Sequence, residues 1–271
     1  MVPFRELQQM WQGLALALEG DDARAANVYA RHDEACAIGR RLPLVHRTCK
    51  PDAETPWTQV LDERAFAALP PCTGSREHAA GIPRAAYFFL GCGAYPEGLV
   101  GFVLEAPSVL LRYPASYTPI DTGSLERYVA PRDPARAAFW DDDAKTRFLL
   151  EHVGQGREVT RFAGPYLAAH FEEPMTYVRR GQYSTPDFPA YHGLESTNGD
   201  RRAWTIEVQV HTDVRFGRGG ANLTEIVVAR PSLVEELPDD LKAFARVATV
   251  ENEVLESIAE GITARIGEEI A

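Results

Sequence analysis

The chain has 271 residues, 45% apolar and 25% charged, the proportions of a globular protein with one large core rather than of a disordered chain. Lys and Arg number 28 against 39 Asp and Glu, a formal net charge of −11. Such a surface repels a phosphate backbone and argues against tight nonspecific nucleic-acid binding. The longest apolar runs, 87–90 and 99–106, are strand-sized and far short of the ~20 residues of a membrane span, so no membrane partner is expected.

Taken in chain order, Phe4, Leu7, Trp11, Leu14 and Leu18 recur at spacings of three and four. That predicts an amphipathic helix rather than a signal peptide. Gly20, Asp21 and Asp22 end it and cap a second helix running to about Arg41, giving a helical hairpin. Residues 43–48 read as a short strand, and 56–69 as a helix stopped by Pro70 and Pro71. Residues 84–90 and 98–106 read as paired strands, and 118–125 as loop. Helical spacing runs through 133–171. The polar, Pro- and Gly-punctuated stretch 174–201 predicts a long ordered loop of the kind that carries function. Residues 203–210 alternate as a strand, 211–223 form a glycine-containing loop, and 224–229 form the last strand, broken at Pro231. A final helix over about 239–268 sets Val247, Val254, Ile258, Ile262 and Ile266 on one stripe, free to dock on the domain or on a second copy as a homo-oligomer. The predicted organisation is a helical extension (1–41), an α+β domain (42–237) and a C-terminal helix (238–271).

Cys36, Cys49, Cys72 and Cys92 contain no C-x-x-C pair. They predict free thiols of a reducing cytoplasm and no zinc site. Three segments carry candidate chemistry. In LVHRT (44–48) strand alternation presents His46 and Arg47 to opposite faces, where either holds an anion or an amide, or meets solvent. In GQYSTPDF (181–188) Ser184 and Thr185 cap a turn or hold a ligand. In GRGGANLTEIVVARP (217–231) Glu225 opens a buried strand. A carboxylate there needs a partner or a task, and a salt-bridged strand edge is the plain alternative. No P-loop, dinucleotide-binding turn, H-E-x-x-H or G-x-S-x-G occurs. His192 and His211 are isolated, and Asp141, Asp142 and Asp143 read as a solvated helix face without a metal.

The order of these pieces resembles the ADP-ribosyltransferase fold. In that family an early strand bears a His or Arg that binds NAD, a central strand a Ser-Thr pair, and a late strand opens with the catalytic Glu. Residues 42–66, 74–95, 97–106 and 224–237 look, within that family, most like the DNA-targeting toxins of the DarT type. The resemblance implies an α+β fold with a central split antiparallel or mixed sheet. It also implies NAD as substrate, a nucleic-acid or protein acceptor, and a toxin or defence role. Glu225 would stabilise the ribosyl cation. His46, Arg47, Thr48, Arg76, Tyr87, Ser184 and Thr185 would line the NAD site, with Arg47 or Arg76 on the pyrophosphate and Tyr87 or Tyr183 beside nicotinamide. No metal is implied. Leu223 stands two residues before Glu225, where protein-modifying members carry Glu or Gln, which argues against arginine as acceptor. The alternative function is a non-enzymatic regulatory protein that assembles through its helical ends.

Overall fold

A computed structural model describes residues 26, 29–47, 57–91, 98–171, 173–179, 194–196, 201–249 and 253–270. The predicted helix at 4–18, Thr48, Tyr183, Ser184, Thr185 and His192 lie outside the described residues. Elements of the first half are α1 (His32–Arg41), β1 (Leu44–Arg47), α2 (Trp57–Glu63), β2 (Ala65–Phe66), α3 (Arg76–Ala79), β3 (Ala86–Leu90), β4 (Val100–Leu104), α4 (Ala106–Leu110), β5 (Ala115–Thr118) and α5 (Thr122–Arg127). There follow β6 (Val129–Pro131), α6 (Pro134–Ala137), α7 (Asp142–His152), β7 (Gly154–Gln155), α8 (Val159–His170), α9 (Thr176–Arg179) and β8 (Leu194–Ser196). The last are β9 (Glu207–Val210), β10 (Val214–Arg215), β11 (Leu223–Val228), α10 (Ser232–Glu235), α11 (Asp239–Lys242), β12 (Ala245–Val247) and α12 (Val254–Ile270).

Eight strands form one mixed sheet in the order β12-β11-β4-β1-β3-β9-β5-β7. Every neighbouring pair is antiparallel except β11 with β12, which is parallel. The fold is therefore α+β, as expected. The central strands read Leu-Val-His-Arg, Ala-Tyr-Phe-Phe-Leu and Val-Gly-Phe-Val-Leu. Such nearly unbroken apolar runs suit strands covered on both faces.

Several local readings change. The helix expected over 56–69 stops at Glu63, because Arg64 takes a left-handed conformation (φ 52°). The chain then turns into β2, which pairs with β10. That turn is anchored by Arg64 Nη2, 2.7 Å from Asp240 Oδ1. Residues 118–125, expected as loop, include the start of α5, whose N-cap Asp121 accepts from Ser124 N at 2.8 Å. Residues 133–171, which carry helical spacing, hold three α-helices, a two-residue strand and a short 3-10 helix. Asp141 is no idle member of its acidic run: it caps α7 by accepting from Ala144 N at 2.9 Å. The continuous helix expected over 239–268 is broken into α11, β12 and α12. Val247 consequently sits in the sheet edge, while Val254, Ile258, Ile262 and Ile266 are buried in this chain's own core. The stripe expected to dock on the domain or on a second copy thus docks on the domain. An added Cβ at Gly101 of β4 would lie 3.1 Å from Val254 Cγ1, which shows how closely α12 seats there.

α1 packs on α8 through two glycines. A Cβ at Gly39 would lie 2.7 Å from the backbone nitrogen of Gly164, and one at Gly164 would lie 2.8 Å from Cys36 Cα. Backbone meets backbone here, so no rotamer change relieves a clash. Cys36 and Cys72 are free thiols, and among the described residues no helix is long and apolar enough to cross a membrane. Gly39→Val should lower stability by about 1–3 kcal/mol in urea unfolding. Gly267→Ala, whose Cβ meets nothing, should leave stability unchanged or raise it by up to about 1 kcal/mol. Equal effects of the two would mean that the helices are not in backbone contact.

Candidate functional site

Strand alternation sorts the candidate residues between the two faces of the sheet. Residues paired across antiparallel strands point to the same side. Glu225 pairs with Val103, Val103 with Val45, Val45 with Phe89, and Phe89 with Glu207. Glu225 and Glu207 therefore lie in one row on one face, four strand spacings or about 19 Å apart. His46 pairs with Phe102, the neighbouring row, and points to the opposite face. The structure does not bring His46 and Glu225 into one groove.

His46 sits among aromatic rings, with centroids 4.5 Å from Phe66, 5.4 Å from Phe88 and 6.5 Å from Phe102. Its Nδ1–H donates to the Tyr87 carbonyl oxygen at 2.8 Å. Burial lowers its pKa to about 4, against the opposing effect of that hydrogen bond. A neutral ring in an aromatic cage is a core histidine rather than an anion ligand. Arg47 pairs through its backbone with Gly101.

At the β11 end, Glu225 is the third residue of its strand rather than the first, beyond a register shift that follows Leu223. Its carboxylate is 13% exposed and meets two guanidinium groups, Arg246 Nε on one oxygen and Arg265 Nη2 on the other at 3.4 Å. Arg246 comes from β12 and Arg265 from α12, and Gly261 leaves the room for them: a Cβ there would lie 2.8 Å from Arg246 Nη2. The negative charge of Glu225 is matched twice over within the fold.

The β9 end differs. Glu207 and Gln209, two residues apart on one face, are 3% and 0% exposed. Glu77, from α3, and Thr122, from α5, meet them. Gln209 Nε2 donates to Glu207 Oε1 at 2.7 Å and to Glu77 Oε1 at 3.2 Å. Thr122 Oγ1 lies 2.9 Å from Glu207 Oε1 and 2.5 Å from Glu77 Oε1. A hydroxyl owns one proton. It donates to one carboxylate, and the second contact is a hydrogen bond only if the other acid is protonated and donates in return. The geometry fits two acids that hold one proton between them. The electrostatics agree. Burial pushes Glu207 well above the usual carboxylate range, and the charges of Asp121 and Glu77 add to the rise. Burial also raises Glu77, against hydrogen bonds from Thr122 and Tyr87. Among the described residues no group of acids, histidines or cysteines is arranged to hold a metal ion.

Two expected site residues surround this pair. The Tyr87 hydroxyl hydrogen-bonds Glu77, and burial, with the Glu77 and Glu207 charges, raises its pKa. Arg76 adjoins Glu77 in α3 but turns to other acids, Glu126 Oε1 at 3.3 Å and Asp142 Oδ2 at 3.2 Å. Behind the pair, Ser116 Oγ donates to Gln209 Oε1 at 3.3 Å and lies 2.9 Å from His211 Nε2. His211, read from sequence as isolated, ends this polar chain. Sequence reasoning missed Glu77, Thr122, Glu207 and Gln209. The signal was present in TIEVQV (205–210), where a Glu and a Gln alternate with valines in a strand buried on both faces.

Two opposed pH effects follow. His46 stays neutral when folded, so its contribution to stability is complete above pH 6.5 and is lost as pH falls from 6.5 towards 4. His46→Phe should flatten that acid limb in urea unfolding, and an unchanged limb would exclude His46 as its source. Glu207 keeps its proton in the folded chain after an unfolded chain has lost it, so stability is lost as pH rises above 4.5. Glu207→Gln should gain stability relative to the native chain between pH 4.5 and 7, and a constant difference would mean that Glu207 ionises normally.

Comparison with protein-family models and with curated proteins finds no match for this chain.

Proposed function

We propose that the chain is an ADP-ribosyltransferase that uses NAD, with the Glu77–Glu207 pair as its reacting carboxylates. The sequence resemblance supplies the reaction class. The observation that carries the assignment of residues is the Thr122 hydroxyl bridging buried Glu207 and half-buried Glu77. Cleavage of the N-glycosidic bond sends its electron pair to the nicotinamide ring nitrogen and leaves positive charge on the ribose. A carboxylate in a site shielded from water stabilises that charge far better than one in solution. A pair that shares one proton holds one negative charge for this purpose. As the acceptor bonds to the ribose carbon, its proton passes to that carboxylate, which acts as general base. Glu77 and Tyr87 are the half-buried members, and Glu207 lies behind them.

Glu225 suits this task less well. Its charge already serves Arg246 and Arg265, so stabilising a cation there requires giving up two ion pairs first. The resemblance nevertheless points to that residue, and one experiment separates the two. The acceptor, nucleic acid or protein, and the toxin role rest on the resemblance alone.

Glu77→Gln and Glu207→Gln should each slow nicotinamide release from NAD by on the order of 10²–10³ while keeping the native circular dichroism. Glu225→Gln should retain turnover. Loss in Glu225→Gln with Glu207→Gln unaffected would move the centre to the head of β11. Absence of nicotinamide release and of transfer by the native chain across nucleic-acid and protein acceptors would end the NAD reading.

A further inference from the structure

At the Glu225 end of the sheet, β1 begins, β4 ends and β11 begins around a groove of about 370 Å³, closed by the last turn of α1 and by α12. The volume lies at the small end of the roughly 300–1,000 Å³ typical of ligand sites. It suits a mononucleotide better than a dinucleotide. Three guanidinium groups line it, Arg40 and Arg41 from α1 and Arg265 from α12, together with Glu105, Glu269 and apolar side chains such as Ile262. The lining sets these three cations against two carboxylates, a local excess of one positive charge in a protein of net charge −11, so the groove is less repulsive to anions than the surrounding surface.

The ion pairs hold this arrangement in place. Arg41 Nε pairs with Glu269 Oε2 at 3.0 Å, and its Nη1 donates to the Ala37 carbonyl at 3.0 Å. Arg265 Nη2 reaches Glu225 Oε2 at 3.4 Å. Arg40 has no ion-pair partner among the described residues. Basic side chains at the end of α1 also complement the helix dipole, which accounts for Arg40 and Arg41 but not for Arg265 from another helix in the same groove. Glu105 receives Asn222 Nδ2 on Oε2 at 2.6 Å, which leaves its second oxygen to accept from a ligand.

We propose that this groove binds a nucleoside monophosphate. The phosphate pairs with Arg40 and with the pre-positioned Arg41 and Arg265, because guanidinium donors match phosphate oxygens two at a time. The ribose hydroxyls donate to Glu105 and Glu269, and the apolar lining meets the base. A bare anion finds two carboxylates against it, whereas a ligand with hydroxyl donors beside its phosphate turns them to use. Because Arg41 and Arg265 are already oriented, little side-chain freedom is lost on binding. The site is separate from the Glu77–Glu207 pair and does not depend on the NAD reading.

Isothermal titration of the full chain with AMP, adenosine and inorganic phosphate tests this. AMP should bind on the order of tenfold or more tighter than either fragment. Arg40→Glu should weaken AMP by a similar factor with an unchanged melting temperature, while Arg218→Glu on the β10–β11 turn leaves binding intact. Glu207→Gln should also bind AMP normally, which separates this groove from the proposed reaction centre. Equal binding of AMP and adenosine, or full affinity in Arg40→Glu, would overturn the phosphate contact. Phosphate binding as tightly as AMP would overturn the ribose contact.

Discussion

The two-residue period of a strand, imposed on a sheet covered on both faces, is the constraint from which the rest follows. Once β1 is central and antiparallel to β3 and β4, each residue's face is fixed. His46 must join the aromatic rings, and Glu225 and Glu207 must both point to the other side. An acid on a buried face has two stable outcomes: a fixed opposite charge, or a proton. The two acids of this row take one outcome each. Glu225 meets two guanidinium groups, those of Arg246 and Arg265. Glu207 meets only neutral donors and another acid, so it holds its proton longer.

That difference separates structure from chemistry better than sequence position does. A carboxylate with two cations on it serves as a rivet joining β11, β12 and α12. A carboxylate that shares a proton is held close to a change of charge, the condition in which acid–base chemistry becomes possible. Glu207 is so placed because its cross-strand neighbours, Phe89 and Thr118, carry no charge, and because Gln209 and Thr122 meet its Oε1 without neutralising it.

Much of the sheet was legible in the sequence. The apolar runs at 84–90 and 98–106 marked strands, and 203–210 showed its alternation, but the expected pairing of the first two fails because β1 lies between β3 and β4. The misreadings share one physical origin, since local pattern cannot see a partner distant in the chain. The helix expected through 56–69 ends because Phe66 is drawn into the aromatic cage and β2 into pairing with β10, about 150 residues later. The helix expected over 239–268 is interrupted because β11 offers a free edge, and Arg246 completes the Glu225 pair from that edge strand. The candidate site was less visible for the same reason. Glu77, Thr122 and Glu207 are 45 and 85 residues apart, and only the sheet brings them together. Glu225 was conspicuous because its surroundings in the chain are apolar, which marks burial but not role.

The order of the strands bears on how the chain assembles. β1, β3 and β4 occupy the middle of the sheet and are synthesised first, while their outer neighbours β9 and β11 arrive more than a hundred residues later. A ribosome-bound chain therefore exposes two apolar faces and two open strand edges for several seconds, at about 5–20 residues added per second. Helices α1 and α8, which pack on each other, are both synthesised before β9. The two acids of the row join last, when the apolar platform that must bury them already exists.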